Sequence, residues 1–303
     1  MRLVFAGTPA IAAKALKALS QQHEIVLAIT RPDSPIGRKQ VITPSAVAQV
    51  ASELGIPVVK TNKIAEAEIA KISQLKADLG IVVAYGALVP QAALDELVWW
   101  NLHFSLLPQW RGATPLQHSM MTGKGSGISV FELEAGLDTG PIVASLPVAL
   151  DSTETAGEAL ERFTLLGSKL ILEALSSSPA PTSQQGEVTF APKISRAAAR
   201  VDFNLPADEI ARKINALNPE PAAWAELEGN AIKLLRAKPL GAVNWNAVAT
   251  ALSPGEVGQQ GGRVLIGAGT GTQFELLELQ PAGKKPMAAG DWYRGISKAV
   301  KFD

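Results

Sequence analysis

Cysteine is absent from all 303 residues. Disulfides, thiolate nucleophiles and cysteine-based metal sites are excluded together. Histidine is scarce, at three residues. Scattered as they are, they build no histidine-rich metal centre, and no metal is expected. Charge of either sign is balanced to a formal net of zero. Large nonspecific nucleic-acid binders are usually basic, so the balance by itself gives no pointer to nucleic acid. No apolar run is long enough to span a bilayer. The start, MRLVFAGTPA, enters a strand-like run at once, without the layout of a signal peptide. A soluble cytoplasmic chain with no membrane partner is expected. Apolar residues are plentiful, at 47%, with a mean hydropathy of +0.15. That suffices for a sizeable core, and the length suggests two domains.

The first half alternates between apolar runs and amphipathic ones. "RLVFA", "EIVLAIT" and "LGIVVAY" read as buried strands. "AAKALKAL", "PSAVAQVASEL" and "AEAEIAKISQL" read as helices between them. Continuously apolar strands separated by amphipathic helices predict a mostly parallel sheet covered on both faces, an α/β Rossmann-like domain. A long helix, "ETAGEALERFTLLGSKLILEAL", closes the unit. The polar stretch "SSSPAPTSQQGE" then reads as a linker. Beyond it come one helix, "PADEIARKINAL", and short β-like runs between glycine turns, the pattern of a small β-barrel or sandwich. The expected boundaries are 1–180 for the first domain, 181–203 for a linker and 204–303 for the second domain.

"FAGTPA" at the first strand–helix joint has one glycine where dinucleotide sites carry three, and Thr8-Pro9 looks like a helix cap. A nucleotide cofactor is disfavoured there. "RPDSPIGRKQVITPS" is a polar connection longer than usual. It is a solvated loop or a cationic arm, with Arg31, Arg38 and Lys39 as its cations. "VWWNLHFS" is strand-like, so Asn101 and His103 share one face at its carboxyl end. Open α/β sheets place their ligands at such ends. An amide beside an imidazole can stabilise a developing oxyanion. Asp138, in "EAGLDTG", is a carboxylate between glycines that could orient His103. His118 and His23 read as ordinary helix and loop residues.

"NLHFSLLPQWRGATP" together with "GLDTG" resembles the signature of the folate-dependent formyltransferases, which use 10-formyltetrahydrofolate. Supporting pieces run through most of the chain: "FAGTP", "PDSPIGR", "VVAYGALVP", "TFAPKIS", "ALNPEPAAW" and "LQPAGKKPM". The later motifs resemble the members that act on initiator methionyl-tRNA. The resemblance implies that Asn101, His103 and Asp138 form the catalytic set. It implies folate contacts at Ser105, Leu106, Leu107 and Pro108, with Val83, Tyr85 and Gly86 walling a pterin pocket. It implies an OB-like C-terminal barrel that grips tRNA, with Arg38, Lys39, Lys193, Arg212, Lys284 and Lys285 as phosphate contacts. The chain is expected to act as a monomer. Two departures stand out: Pro141 occupies a position where an acid is common, and Trp99 and Trp100 stand where small residues are usual. A member acting on glycinamide ribonucleotide would carry a glycine-rich loop after the first strand. One acting on an amino sugar nucleotide is not expected to combine "WRGATP" with "LQPAGKKPM". A non-catalytic binding protein would have no need of the three polar residues together.

Overall fold

The computed structural model describes residues 1–37, 39–240 and 252–303. They form two compact units. The first comprises Met1–Pro115, Gly125–Val148 and Leu160–Phe190. The second comprises Leu116–Lys124, Ala149–Ala159 and Ala191–Asp303.

The first unit is built on the strands β1 (Arg2–Gly7), β2 (Glu24–Thr30), β3 (Ser34–Ile36), β4 (Val41–Thr43), β5 (Val58–Lys60), β6 (Leu79–Val83), β7 (Trp99–His103), β8 (Arg111–Gly112), β9 (Gly127–Glu132) and β10 (Ile142–Pro147). Seven of these make one sheet in the order β10-β9-β7-β6-β1-β2-β5. The run from β7 to β5 is parallel, and β9 and β10 add antiparallel strands at one side. Its helices are α1 (Ala10–Ser20), α2 (Ala46–Glu53), α3 (Glu66–Leu75) and α4 (Gln91–Glu96). The helix α5 (Pro115–Thr122) follows β8, and α6 (Ala156–Ser177) follows β10. Leu3, Val4, Phe5 and Ala6 of β1 are all fully buried, as a strand covered on both faces must be.

Trp99 is accommodated by a glycine. Gly80 is its neighbour on β6, and a Cβ there would lie 2.2 Å from the indole ring. The bulk expected to be unusual on β7 is thus offset by a missing side chain next door. Trp99 also donates its indole N–H to Ala93 O at 3.0 Å. On the other face of β7, Leu102 packs against Gly167 of α6.

Two local expectations change. Thr8 does not cap α1, whose first flanking residue is Pro9. Its hydroxyl instead donates to Tyr85 O at 2.8 Å, tying the first loop to the end of β6. The segment after β2 is not a featureless polar loop. β3 and β4 pair as a short antiparallel hairpin, Ser34 opposite Thr43. Ile36, Val41 and Ile42 on it are more than half exposed.

After the two-residue strand β11 (Phe190–Ala191), where the chain passes from one unit to the next, the second unit has α7 (Ala207–Ala216), β12 (Ala223–Leu227), β13 (Asn230–Pro239), β14 (Val257–Gln260), β15 (Arg263–Gly267), β16 (Gln273–Gln280), β17 (Met287–Ala288) and α8 (Ala289–Arg294). An antiparallel path β12-β13-β16-β15-β14, with β17 on β16, wraps a core that includes Ile210, Ile214, Leu234, Ile266, Phe274 and Phe302. This is the small β-rich domain with one leading helix that the glycine-punctuated strands and "PADEIARKINAL" predicted.

The unit also recruits two segments from earlier in the sequence. Arg212 donates to Met121 O at 3.1 Å, Asn215 to Ser152 O at 3.1 Å, and Gly157 N to Asn218 O at 3.0 Å. The stretch 181–203 is irregular but anchored within its own units. Thr182 exchanges backbone bonds with Ile142, Arg111 N donates to Thr189 O, and Val201 N to Trp224 O. Among the described residues, no helix is long and apolar enough to cross a membrane.

Candidate active site

The carboxyl end of β7 carries the two polar residues that alternation placed on one face. Asn101 lines a cleft of about 890 Å³ in the first unit. Asp138 lines the same cleft, from the loop between β9 and β10. His103 is buried, with 4% exposure, and stands behind Asp138. Its Nδ1 is 3.9 Å from Asp138 Oδ2. The structure therefore brings all three expected residues to one place.

The hydrogen bonds fix the state of the imidazole. His103 Nε2 is 3.0 Å from Trp110 O. A carbonyl only accepts, so Nε2 carries the proton. In the neutral ring Nδ1 is then an acceptor, and it faces a second acceptor, the Asp138 carboxylate. Asp138 Oδ2 already receives the backbone N–H of Gly112 at 2.7 Å. At 3.9 Å, with two acceptors facing, His103 and Asp138 share no hydrogen bond. Burial pushes the imidazole below its ordinary value and outweighs Asp138 and the Trp110 carbonyl, which both raise it. Burial thus favours the neutral ring. Phe131 meets the imidazole edge-on at 6.1 Å and keeps its far side dry.

The loop bearing Asp138 is held tightly. Asp138 stands at φ 50°, in the left-handed region. Gln184 donates to the carbonyls of Asp138 and Gly140, each at 2.8 Å. Pro141 fits because its carbonyl, not an N–H, is used here: Glu132 N donates to it at 3.0 Å.

The other cleft walls are mostly apolar, with two cations, the carboxylate of Glu134 and the amides of Asn62 and Gln91. Val82, Ala87, Leu88, Val89, Pro90, Leu133 and Leu137 line it beside Arg31 and Lys63. Leu88 and Leu137 are more than half exposed, the signature of a surface awaiting an apolar ligand. Volume and lining suit a small heterocycle with an anionic tail.

The remaining expected residues are placed less uniformly. The "VVAYGALVP" stretch does wall the cleft, but through Val82 and residues 87–90. Val83 and Tyr85 are buried in the core, and Gly86 is not among the cleft's lining residues. Ser105, Leu106, Leu107 and Pro108 do not line the cleft either. Ser105 is fully buried and donates to Gln109 O at 2.6 Å, while Leu107 N donates to Ser129 Oγ. This segment folds into a turn that carries Trp110 back to His103. Lys39 is exposed in the hairpin turn, and Arg38 lies outside the described residues. In the second unit, Lys193, Lys284 and Lys285 are exposed. Arg212 is half-buried, bonds Met121 O, and shares a cavity with Asp151, Glu154 and Asp208. Three carboxylates disfavour a phosphate there.

Sequence patterning missed Lys63, Leu133, Leu137 and Gln184. Lys63 and Leu133 lie in none of the quoted motifs, Leu137 is the apolar residue of "GLDTG" passed over beside Asp138, and Gln184 lies in what reads as a linker.

Residues 1–175 match the family model described as "Formyl transferase", and residues 193–297 match "Formyl transferase, C-terminal domain". Together the two spans cover most of the chain. This chain belongs to the formyl transferase family. Among curated relatives, "Methionyl-tRNA formyltransferase" of Leifsonia xyli subsp. xyli is 43% identical over 302 residues, 97% of each chain. Among solved structures, HypX from Aquifex aeolicus in complex with tetrahydrofolic acid aligns with a TM-score of 0.67 at 17% identity. All of the present chain is covered there, but it spans only 51% of HypX, about half its length. Methionyl-tRNA formyltransferase from Clostridium thermocellum aligns with a TM-score of 0.59 at 17% identity, covering 80% of this chain and 95% of that one. At such identity the structural matches speak for the family fold alone. Among the described residues, no cluster of histidine, aspartate and glutamate could hold a metal ion.

Proposed function

We propose that the chain transfers a formyl group from 10-formyltetrahydrofolate to the α-amino group of methionyl initiator tRNA, giving formylmethionyl-tRNA for translation initiation. It would act in the cytoplasm as a monomer. The observation that carries the reading is the polar set at the end of β7. Asn101 and Asp138 open on one cleft, and His103 is held behind Asp138 with its Nδ1 3.9 Å from the carboxylate.

The chemistry follows from those roles. The pterin lies against Val82, Leu88, Val89 and Leu133, and the glutamate tail of the folate meets Arg31 and Lys63. The amine of the methionyl ester attacks the formyl carbon, and a carbon–nitrogen bond forms as the carbonyl electrons move to oxygen. Asn101 donates its amide N–H to that oxyanion, a contribution worth on the order of 100- to 1000-fold in rate. The attacking nitrogen must lose a proton. Asp138, directly or through water, conveys it to His103 Nδ1. The resulting imidazolium is held between Trp110 O and the Asp138 carboxylate, which makes the charge tolerable in a buried place. The intermediate collapses, the bond from the formyl carbon to N10 breaks, and the stored proton goes to N10 of departing tetrahydrofolate. No metal enters this scheme, because the formyl group is already activated on nitrogen.

Arg38 and Lys39 are assigned to the acceptor end of the tRNA, to which the hairpin after β2 also offers the exposed Ile36, Val41 and Ile42. In the second domain, Lys193, Lys284 and Lys285 supply phosphate contacts. Acceptor competition tests the reading. Charged initiator tRNA, free methionine and an amino sugar nucleotide are each offered with 10-formyltetrahydrofolate. Formyl transfer to the charged tRNA alone is expected. Transfer to the sugar nucleotide in preference to the tRNA would overturn it.

A further inference from the structure

Gln184 lies outside both matched family segments, between residues 175 and 193. Its neighbours are exposed, yet its own side chain is half-buried. Every direction of its amide is used. Oε1 accepts from Arg111 Nη2 at 2.6 Å and from Arg111 Nε at 3.2 Å. Nε2 donates to Asp138 O and to Gly140 O, both at 2.8 Å. These carbonyls bracket the turn that presents the Asp138 carboxylate. A non-glycine residue at φ 50° persists only where its surroundings enforce it. On the opposite side, Gly140 is pressed so closely to Glu132 O of β9 that no side chain fits.

We infer that Gln184 is a positioning residue for the formyl transfer proposed above, fixing the Asp138 carboxylate beside His103 by tying its own carbonyl and that of Gly140 to Arg111. The consequence for rate rests on that functional reading; the geometry does not. Only an amide can do this. Arg111 requires an acceptor, and the carbonyls require donors. A glutamate would keep the arginine but set a charge against two carbonyl oxygens. A methionine would keep the volume and lose all four bonds.

The test uses the full chain with Gln184→Glu and Gln184→Met. Single-turnover transfer from 10-formyltetrahydrofolate to methionyl-tRNA is measured together with both KM values. The titration of His103 is followed by NMR of its imidazole ring, with His103→Gln assigning its signals among three histidines. Both variants are expected to lose roughly 10- to 100-fold in kcat, as a displacement near 1 Å does, with each KM within about twofold. The His103 midpoint is expected to fall, because Asp138 supports the charged ring and would move away. Added to Asp138→Asn, Gln184→Glu is expected to cost less than about threefold more, since both act through one carboxylate.

Wild-type kcat with an unmoved His103 titration overturns the inference, as does full additivity with Asp138→Asn. If Gln184→Met fails to fold, Gln184→Glu decides alone. If the unmodified chain does not formylate methionyl-tRNA, the functional reading falls. The His103 titration then still decides whether Gln184 holds Asp138 in place.

Discussion

Gly140→Ala is a one-carbon change with a large expected effect. A Cβ at position 140 would lie 1.8 Å from Glu132 O and 2.9 Å from Glu132 C. Both are backbone atoms of β9, and no rotamer can move them away. Ordinary contact begins near 3.4 Å, so the loop and strand must part by about 1.6 Å. That motion breaks the bond from Glu132 N to Pro141 O and carries Asp138, two residues earlier, with it. Overpacking of this kind costs about 1–3 kcal/mol. For a unit of this size that lowers Tm by about 2–12 °C. A shift near 1 Å in a catalytic group costs on the order of 100-fold in kcat. Gly136→Ala is the control within the same loop. Its Cβ would meet Thr139 Oγ1 at 2.3 Å, Cγ2 at 2.8 Å and Cβ at 3.1 Å, side-chain atoms of the same loop rather than backbone of β9. It is expected to lose less than about fivefold. Single-turnover kinetics and thermal melts of both variants decide the matter. Equal, small effects in the two would refute the argument that backbone proximity to β9 sets the Asp138 geometry.

Asn101→Ala is expected to lower kcat by about 100- to 1000-fold while leaving folate KM nearly unchanged, read by steady-state kinetics. His103 links stability to pH. Its pKa is lowered in the fold, so the unfolded chain binds the proton more readily. Stability is therefore full above the unfolded value of about 6.5 and falls as pH drops below it, until the folded ring is also charged. His103→Gln should flatten that slope in urea melts between pH 7 and pH 5. His23, also lowered by burial, leaves a residual slope in that variant. Lys39→Ala, alone or with Arg38→Ala, is expected to raise KM for methionyl-tRNA several-fold, more at low salt, without changing folate KM. An unchanged tRNA KM would return the hairpin to a surface decoration.

The α/β plan was legible because apolar strands and amphipathic helices carry their own periods, and β1, β2 and β6 lie where those periods put them. So were Asn101 and His103, since alternation along a strand assigns faces without any tertiary information. Asp138 became legible through the family signature, not through spacing, because a Gly-flanked aspartate is common in turns. The 105–108 turn carries a second role that no motif spells out: Ser105 donates its hydroxyl to Gln109 O, and the segment returns Trp110 to His103.

What the sequence determined by itself is local: which segments are strands and helices, which face a side chain takes, and which chemistry is excluded by having no cysteine. Tertiary structure alone decided the rest. It made His103 a neutral ring with its proton on Nε2, because burial and one carbonyl select that form. It seated Trp99 over Gly80. It sent Arg212 among acids, and it enlisted Gln184 from 46 residues beyond Asp138. Such pairings depend on distances between segments far apart in the chain, and no local pattern of residues encodes them.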